Sequence, residues 1–226
     1  MTITEMHTSF KLGLDKVDSL GYPNFLEDEI DLFLNQAQER IVKQRLGVNN
    51  IKQAGFEAIQ KRTDDLRELV KNATLTPNAS TSDNKPNGVF VTLPTDYWFI
   101  INEEANLSFS CNGTTQSDRI MVRAIQHDDY NKIIKDPFNK PSKDEFIIRL
   151  MYQNSVELIT GNNETVNAYY LRYIKKPLIM DYNNNVDCEL ANHIHQEIVD
   201  EAIKIALEDI EAQRQGTFPT IQNTNE

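Results

Sequence analysis

The sequence predicts an α+β fold. A helical bundle, made of an N-terminal αα-hairpin plus a C-terminal long helix, carries an inserted antiparallel β-sheet or sandwich. Three observations lead there. Apolar residues recur at steps of three and four over residues 27–70 and again over 190–214. Between these stretches the period falls to two, in short runs rich in Val, Ile, Phe and Tyr. The two kinds of segment are segregated rather than alternating, which is the α+β pattern.

The first 24 residues read as an N-terminal arm. Phe10, Leu12 and Leu14 alternate with Lys11, Gly13 and Asp15, as in a short strand. Such a strand either straps the protein's own surface or adds to a neighbour's sheet. A helical hairpin is expected over 25–71. Its first helix, Glu27 to Leu46, follows Pro23 and Asn24, has carboxylates in its first turns and Arg40, Lys43 and Arg45 near its end, and stops at Gly47. Ile30, Phe33, Leu34, Ala37, Ile41 and Leu46 form its apolar stripe. The second helix is expected over Lys52 to Val70, with Phe56, Ile59, Leu66, Leu69 and Val70 on its apolar side. A short connection between them implies an antiparallel pair.

Residues 72–88 are rich in Pro, Asn and Ser and read as a linker loop. The β subdomain follows over 89–176. Its expected strands are Gly88–Pro94, Asp96–Ile101, Ala105–Cys111, Arg119–Ile125, Glu145–Tyr152, Ser155–Thr160 and Val166–Ile174. Asn112-Gly113, Gln153-Asn154 and Gly161-Asn162-Asn163 are expected hairpin connections. A short helix near 127–134 leads into the loop Asp136 to Pro141, which carries a proline near each end. The last helix is expected over 189–214, with Ile194, Ile198, Ala202, Ile205, Ala206 and Ile210 on one face and an acidic opposite face. Its stripe needs the hairpin as a partner, which would close the bundle. Residues 215–226 form a polar C-terminal tail.

Composition narrows the function. The 226 residues carry a formal net charge of −11 and a pI near 4.9. That excludes a general nucleic-acid binder, which masses Lys and Arg against phosphates. Cys111 and Cys188 are too few for a disulfide framework. No stretch has the ~20 apolar residues of a membrane span, nor does the N-terminus carry a signal peptide's apolar core. A soluble protein of a reducing compartment, with no membrane partner, is the expectation.

Chemistry is sparse. His193 and His195 sit two apart on a predicted helix and point about 160° away from each other, so they do not share a metal. His193 with Glu197 would, with Cys188 upstream, but four ligands of fixed spacing are lacking. His127 with Asp128 or Asp129 resembles an acid/base pair; helix-start capping accounts for it as well. No phosphate-cradling glycine motif occurs. Tyr97-Trp98-Phe99 and Tyr169-Tyr170 have the chemistry to stack bases, yet only Arg172, Lys175 and Lys176 lie near them, and core burial explains them better. No catalytic residue, metal or cofactor is expected, and the chain reads as a non-enzyme.

Four stretches carry a family resemblance: Leu93-Pro94-x-Asp96-Tyr97 with the following WFIINEEA, HDDYNKIIKDPFNKP, YYLRYIKKP, and ANHIHQEIVDEAIKIALEDIEAQR. With YPNFLEDEIDLFLNQAQERIVKQR they resemble the ring or adaptor proteins stacked under the portal of crAss-like bacteriophages. The element order is also similar to head–tail adaptors of short-tailed phages. The resemblance implies a structural virion protein at the portal vertex, made in the host cytoplasm. It would be a dodecamer of about twelve copies joined head to tail, contacting the portal protein and adjacent ring or tail proteins. Genomic DNA would pass through its channel during ejection without sequence-specific binding. An acidic lumen suits that passage because it repels phosphate; ordinary solubility charge explains the same acidity. The expected interface residues are Phe10, Leu12 and Leu14 in the arm, Glu201 and Glu208 on the acidic helix face, and Phe218 and Ile221 in the tail. The alternative is a tail-associated binding module that recognises a host surface or carbohydrate through its strand-rich middle.

Overall fold

The computed structural model describes residues 1–17, 25–47, 57, 59–78, 84–111, 113–161 and 164–210. In chain order the helices are α1 (Ile3–Val17), α2 (Glu27–Leu46), α3 (Gln60–Leu66), α4 (Tyr130–Lys135) and α5 (His195–Ile210). The strands are β1 (Val70–Leu75), β2 (Gly88–Thr92), β3 (Tyr97–Cys111), β4 (Thr114–Ala124), β5 (Phe146–Tyr152), β6 (Ser155–Ile159) and β7 (Glu164–Lys175). The chain forms two units. A helical unit comprises Met1–Leu69 and Pro177–Glu226, and a sheet unit, Val70–Lys176, is inserted between them. The fold is mixed α+β.

In the helical unit, α1 replaces the expected strand. Ile3, Met6, His7, Phe10 and Leu14 recur at helical spacing and are all buried, whereas Leu12 is exposed. The alternation of Phe10, Leu12 and Leu14 is therefore a local coincidence within a longer helical stripe. Helix α2 matches its expected bounds. Glu29 accepts the Leu26 N–H at 2.8 Å, and Gly47 ends the helix at φ 101°, a conformation that favours glycine. Ile30, Phe33, Leu34, Ala37, Ile41 and Val42 face the core.

The expected second hairpin helix is shorter than predicted among the described residues. It runs from Gln60 to Leu66, continues as one 3-10 turn to Leu69, and gives way to β1 at Val70. Phe56 lies outside the described residues. Helix α5 begins at His195 after a 3-10 turn at Asn192–Ile194, later than the expected start at residue 189. It lies against α2 and α1 through Ile194, Ile198, Val199, Ala202 and Ala206. Gly13 permits that approach: a Cβ there would meet Ile203 Cδ1 at 2.3 Å.

The sheet unit is one seven-stranded sheet in the order β1-β7-β3-β4-β5-β6-β2. It is not a sandwich, and it is not wholly antiparallel: β4 and β5 pair in parallel. Parallel neighbours need a crossover, and residues 125–145 with α4 supply it. Nor do β6 and β7 form the hairpin expected at Gly161, since they are not neighbours. The two strands expected over Asp96–Ile101 and Ala105–Cys111 are one, β3, with register shifts along its pairing to β7.

The sheet curls because residues from every strand reach one core. Val91, Leu107, Ile120, Ile147, Leu158 and Tyr169 belong to it, and Ala73 and Leu75 of the edge strand β1 pack against it. A second cluster lies on the other face of β5, where Phe146, Ile148, Leu150 and Ile159 meet Tyr130 and Ile133 of α4. Alternate residues of β5 thus enter different cores.

Glu103, on β3, shares the inward parity of Ala105 and Leu107. It is nine-tenths buried, lies 2.9 Å from Arg149 Nε of β5, and accepts the Tyr169 hydroxyl of β7 at 2.6 Å. Burial, then the Glu103 carboxylate, pushes the Tyr169 hydroxyl well above the ordinary tyrosine range. This polar group joins three strands inside the curl.

Candidate assembly surfaces

Asp31, Asn35 and Gln38 form a polar stripe on α2 at i, i+4 and i+7, positions that share a helix face. They hold an extended segment that follows Pro177. The Gln38 side-chain amide donates to Leu178 O at 3.0 Å. Asn35 bonds Met180 twice, donating to its carbonyl at 2.9 Å and accepting its N–H at 2.8 Å. Asp31 accepts the Tyr182 N–H at 2.9 Å and bonds His7 Nε2 at 2.8 Å, while the His7 ring stacks on Tyr182 at 4.6 Å. These bonds satisfy the segment's backbone without a strand partner. They also leave Leu178 and Ile179 exposed, Ile179 to 76%. Leu26 and Leu32 of the same unit are exposed as well.

Cys188 donates from Sγ to Gln38 Oε1 at 3.2 Å, and burial pushes its thiol up to about 11. The nucleophilic thiolate is therefore scarce below that pH. Iodoacetamide at pH 8 is expected to label Cys188 only as fast as the helical unit opens. Labelling at the rate of a free thiol in the folded protein would contradict this placement.

The densest charge cluster joins α2, α3 and α5. Asp65, with a side chain 1% exposed, accepts from Arg45 Nε at 2.7 Å and bonds His193 Nε2 at 2.8 Å. Arg45 also reaches Glu197, which pairs with Lys61 at 3.0 Å. His193 and Glu197 are thus held by different partners and do not converge. An open cavity of about 530 Å³ beside them is lined by Gln60, Lys61, Asp64, Arg67 and His193. Among the described residues, no three His, Cys, Asp or Glu side chains are grouped to hold a metal. The arrangement is a clasp between helices. His195 is buried, with Nε2 2.8 Å from Leu190 O and Nδ1 3.0 Å from the Met1 nitrogen.

In the sheet unit, His127 Nε2 bonds Met151 O at 2.7 Å, and Asp129 pairs with Lys132 at 2.9 Å. His127 and Asp129 of the candidate acid/base pair are thus bonded elsewhere. Tyr169 is buried in the curl, whereas Tyr170 lies on the outer face beneath Arg119, 3.8 Å from ring centroid to guanidinium carbon. Tyr97 stands 6.1 Å from Tyr173 beside a cavity of about 370 Å³. The most exposed large apolar side chain among the described residues is Phe138, at 87%.

A family model described as phage tail ring protein 3/4 matches residues 1–217. The chain belongs to the phage tail ring protein 3/4 family. Two curated relatives of this ring protein come from Bacteroides phage crAss001. "Ring protein 4/5" is 30% identical over 227 residues, covering 91% of this chain and 92% of the relative. "Ring protein 3" is 30% identical over 205 residues, covering 82% and 86%. The chain is therefore a structural ring protein of crAss-like phages, and the resemblance in its sequence is confirmed.

In this ring protein the expected interface residues have unequal fates. Phe10 and Leu14 are buried in their own unit, and Leu12 is left exposed. Glu201 bonds Arg40 at 3.1 Å with its side chain 15% exposed, so its charge is engaged within the protomer. Glu208 is half-buried on α5. Phe218 and Ile221 lie outside the described residues. Sequence reading overlooked Leu178, Ile179 and Phe138. Their signal was an apolar run, LIM, after Pro177, and a phenylalanine between two prolines.

Proposed function

We propose that the chain forms one closed ring, of about twelve copies joined head to tail, in the stack at the portal vertex that joins head to tail. The observation that supports this most is similarity along nearly the whole chain to two ring proteins of one phage. The ring extends the channel through which genomic DNA leaves. It works by burying surface between copies and against the portal and neighbouring rings, and it makes and breaks no bonds.

Charge distribution favours the channel role. The helical unit holds 22 Asp and Glu against 11 Lys and Arg, while the sheet unit holds 12 against 12. The entire net charge is thus carried by the helical unit. A wall built from that unit repels phosphate and lets DNA slide. The neutral sheet unit is left for contacts between proteins. The helical unit adds uncharged contact elements of its own: Leu12, Leu178, Ile179 and the tail with Phe218 and Ile221.

Mass photometry and negative-stain imaging of the full chain, with and without portal protein, test this. The expected result is a ring with a central hole and a mass near that of twelve copies. A monomer or trimer persisting in the presence of portal would overturn the reading and favour a binding module instead.

A further inference from the structure

Phe138 is almost fully exposed, yet the loop that carries it is fixed. The Asp136 carboxylate accepts the Phe138 N–H at 2.9 Å and the Asn139 side-chain amide at 2.6 Å. The Asp136 N–H donates to Ile133 O at 3.2 Å, and its carbonyl accepts from Lys140 N at 3.1 Å. Pro137 and Pro141 each lock one φ. A rigid, solvent-facing aromatic loses little freedom on docking, which is the property of an interface anchor.

A receptacle lies at the far end of β5, the strand into which this loop leads. The cavity of about 370 Å³ is lined by Leu93, Pro94, Thr95, Tyr97, Asn154 and Lys176, among others. Its walls are tied together. Leu93 N donates to Asn154 O at 2.9 Å, Tyr97 N to Pro94 O at 3.1 Å, and Lys176 N to Asp96 O at 2.7 Å. The volume is near the lower bound for ligand pockets and admits a phenyl ring. Lys176 at its rim offers an ammonium to an aromatic face.

The loop precedes the start of β5, where Ser142 bridges to Phe146. The cavity flanks the Gln153-Asn154 turn that ends it. Seven strand residues separate the two, about 20 Å at the usual rise, so projection and cavity cannot meet within one copy. Projection at one end and receptacle at the other is the disposition of a heterologous, head-to-tail contact, which closes into a ring when the rotation permits. We propose that Phe138 of one copy seats in the cavity formed by Leu93, Pro94, Tyr97 and Lys176 of the next copy. This rests on the ring reading above.

The test uses the full-length chain under conditions where the wild type forms rings. Phe138→Ala is expected to weaken association about thirty-fold or more, the size of an anchor loss, with an unchanged circular dichroism spectrum. Thr95→Trp, which fills the cavity from an exposed position, is expected to do the same. Copies bearing Phe138→Cys, mixed with copies bearing Thr95→Cys, are expected to form disulfide-linked heterodimers on oxidation, above the background of either variant alone. Rings formed equally well by Phe138→Ala would overturn the seating while leaving the ring reading intact. Loss of rings without the mixed cross-link would overturn it too, by placing Phe138 elsewhere. A wild type that forms no ring even with portal would remove the ring reading itself, and this contact with it.

Discussion

Replacing Glu103 with alanine is expected to destabilise the sheet unit by about 3–5 kcal/mol, the cost of stripping one partner from a buried ion pair. The size follows from what remains. Arg149, 12% exposed, keeps its charge with no carboxylate beside it, and the Tyr169 hydroxyl loses its acceptor. Urea unfolding followed by the fluorescence of Trp98, the single tryptophan and a residue of β3, reads this directly. Replacing both charges, Glu103→Leu with Arg149→Met, should cost less than Glu103→Ala alone, because no unpaired charge is left inside. A single-variant loss below about 1 kcal/mol would show that water reaches the pair and that the curl is not closed around it.

The second large effect concerns Phe10. Phe10→Ala is expected to cost about 3–5 kcal/mol, as for a fully buried aromatic. The ring is 0% exposed and stands 6.1 Å from both Phe25 and Phe33. Leu12→Ala, on the exposed side of the same helix, should stay within about 0.5 kcal/mol. Thermal unfolding of the isolated protomer separates two roles for the N-terminal segment. If α1 belongs to its own core, Phe10→Ala lowers protomer stability. If it were an arm donated to a neighbour, the protomer would be unaffected and only association would suffer.

How far the sequence could be read depended on how local the determining signal was. Helix α2 was legible because its carboxylates, terminal cations and Gly47 all lie within its own span. The stripe of α5 was legible for the same reason. Helix α1 was not, because three alternating residues, Phe10, Leu12 and Leu14, mimic a strand. The stripe that decides otherwise runs from Ile3 to Leu14. Strand β1 was hidden by its edge position. It pairs on one side only and keeps a mostly exposed pattern, so VKNATL reads as helix end and loop. Asn102, Glu103 and Glu104 lay between the two expected strands that are in fact the single strand β3. Glu103 is buried against Arg149, and Glu104 lies outside against Arg119 at 3.2 Å. The parallel pairing of β4 and β5 was beyond reach, since nothing within either strand specifies its neighbour's direction. The candidate contact residues were missed because exposure is a tertiary property. Leu178 and Ile179 face solvent where Asn35 and Gln38 bond the backbone on either side of Ile179.

The inserted unit starts and finishes at one place. Val70, its first residue, is paired with Ile174, near its last. Anything that happens between those two residues, whether a longer crossover, a lost strand or a different loop at Phe138, leaves the separation of its ends unaltered. The sheet unit can therefore change internally while its two ends stay paired. An insertion closed on one strand pair can vary within the sheet without moving its two points of attachment.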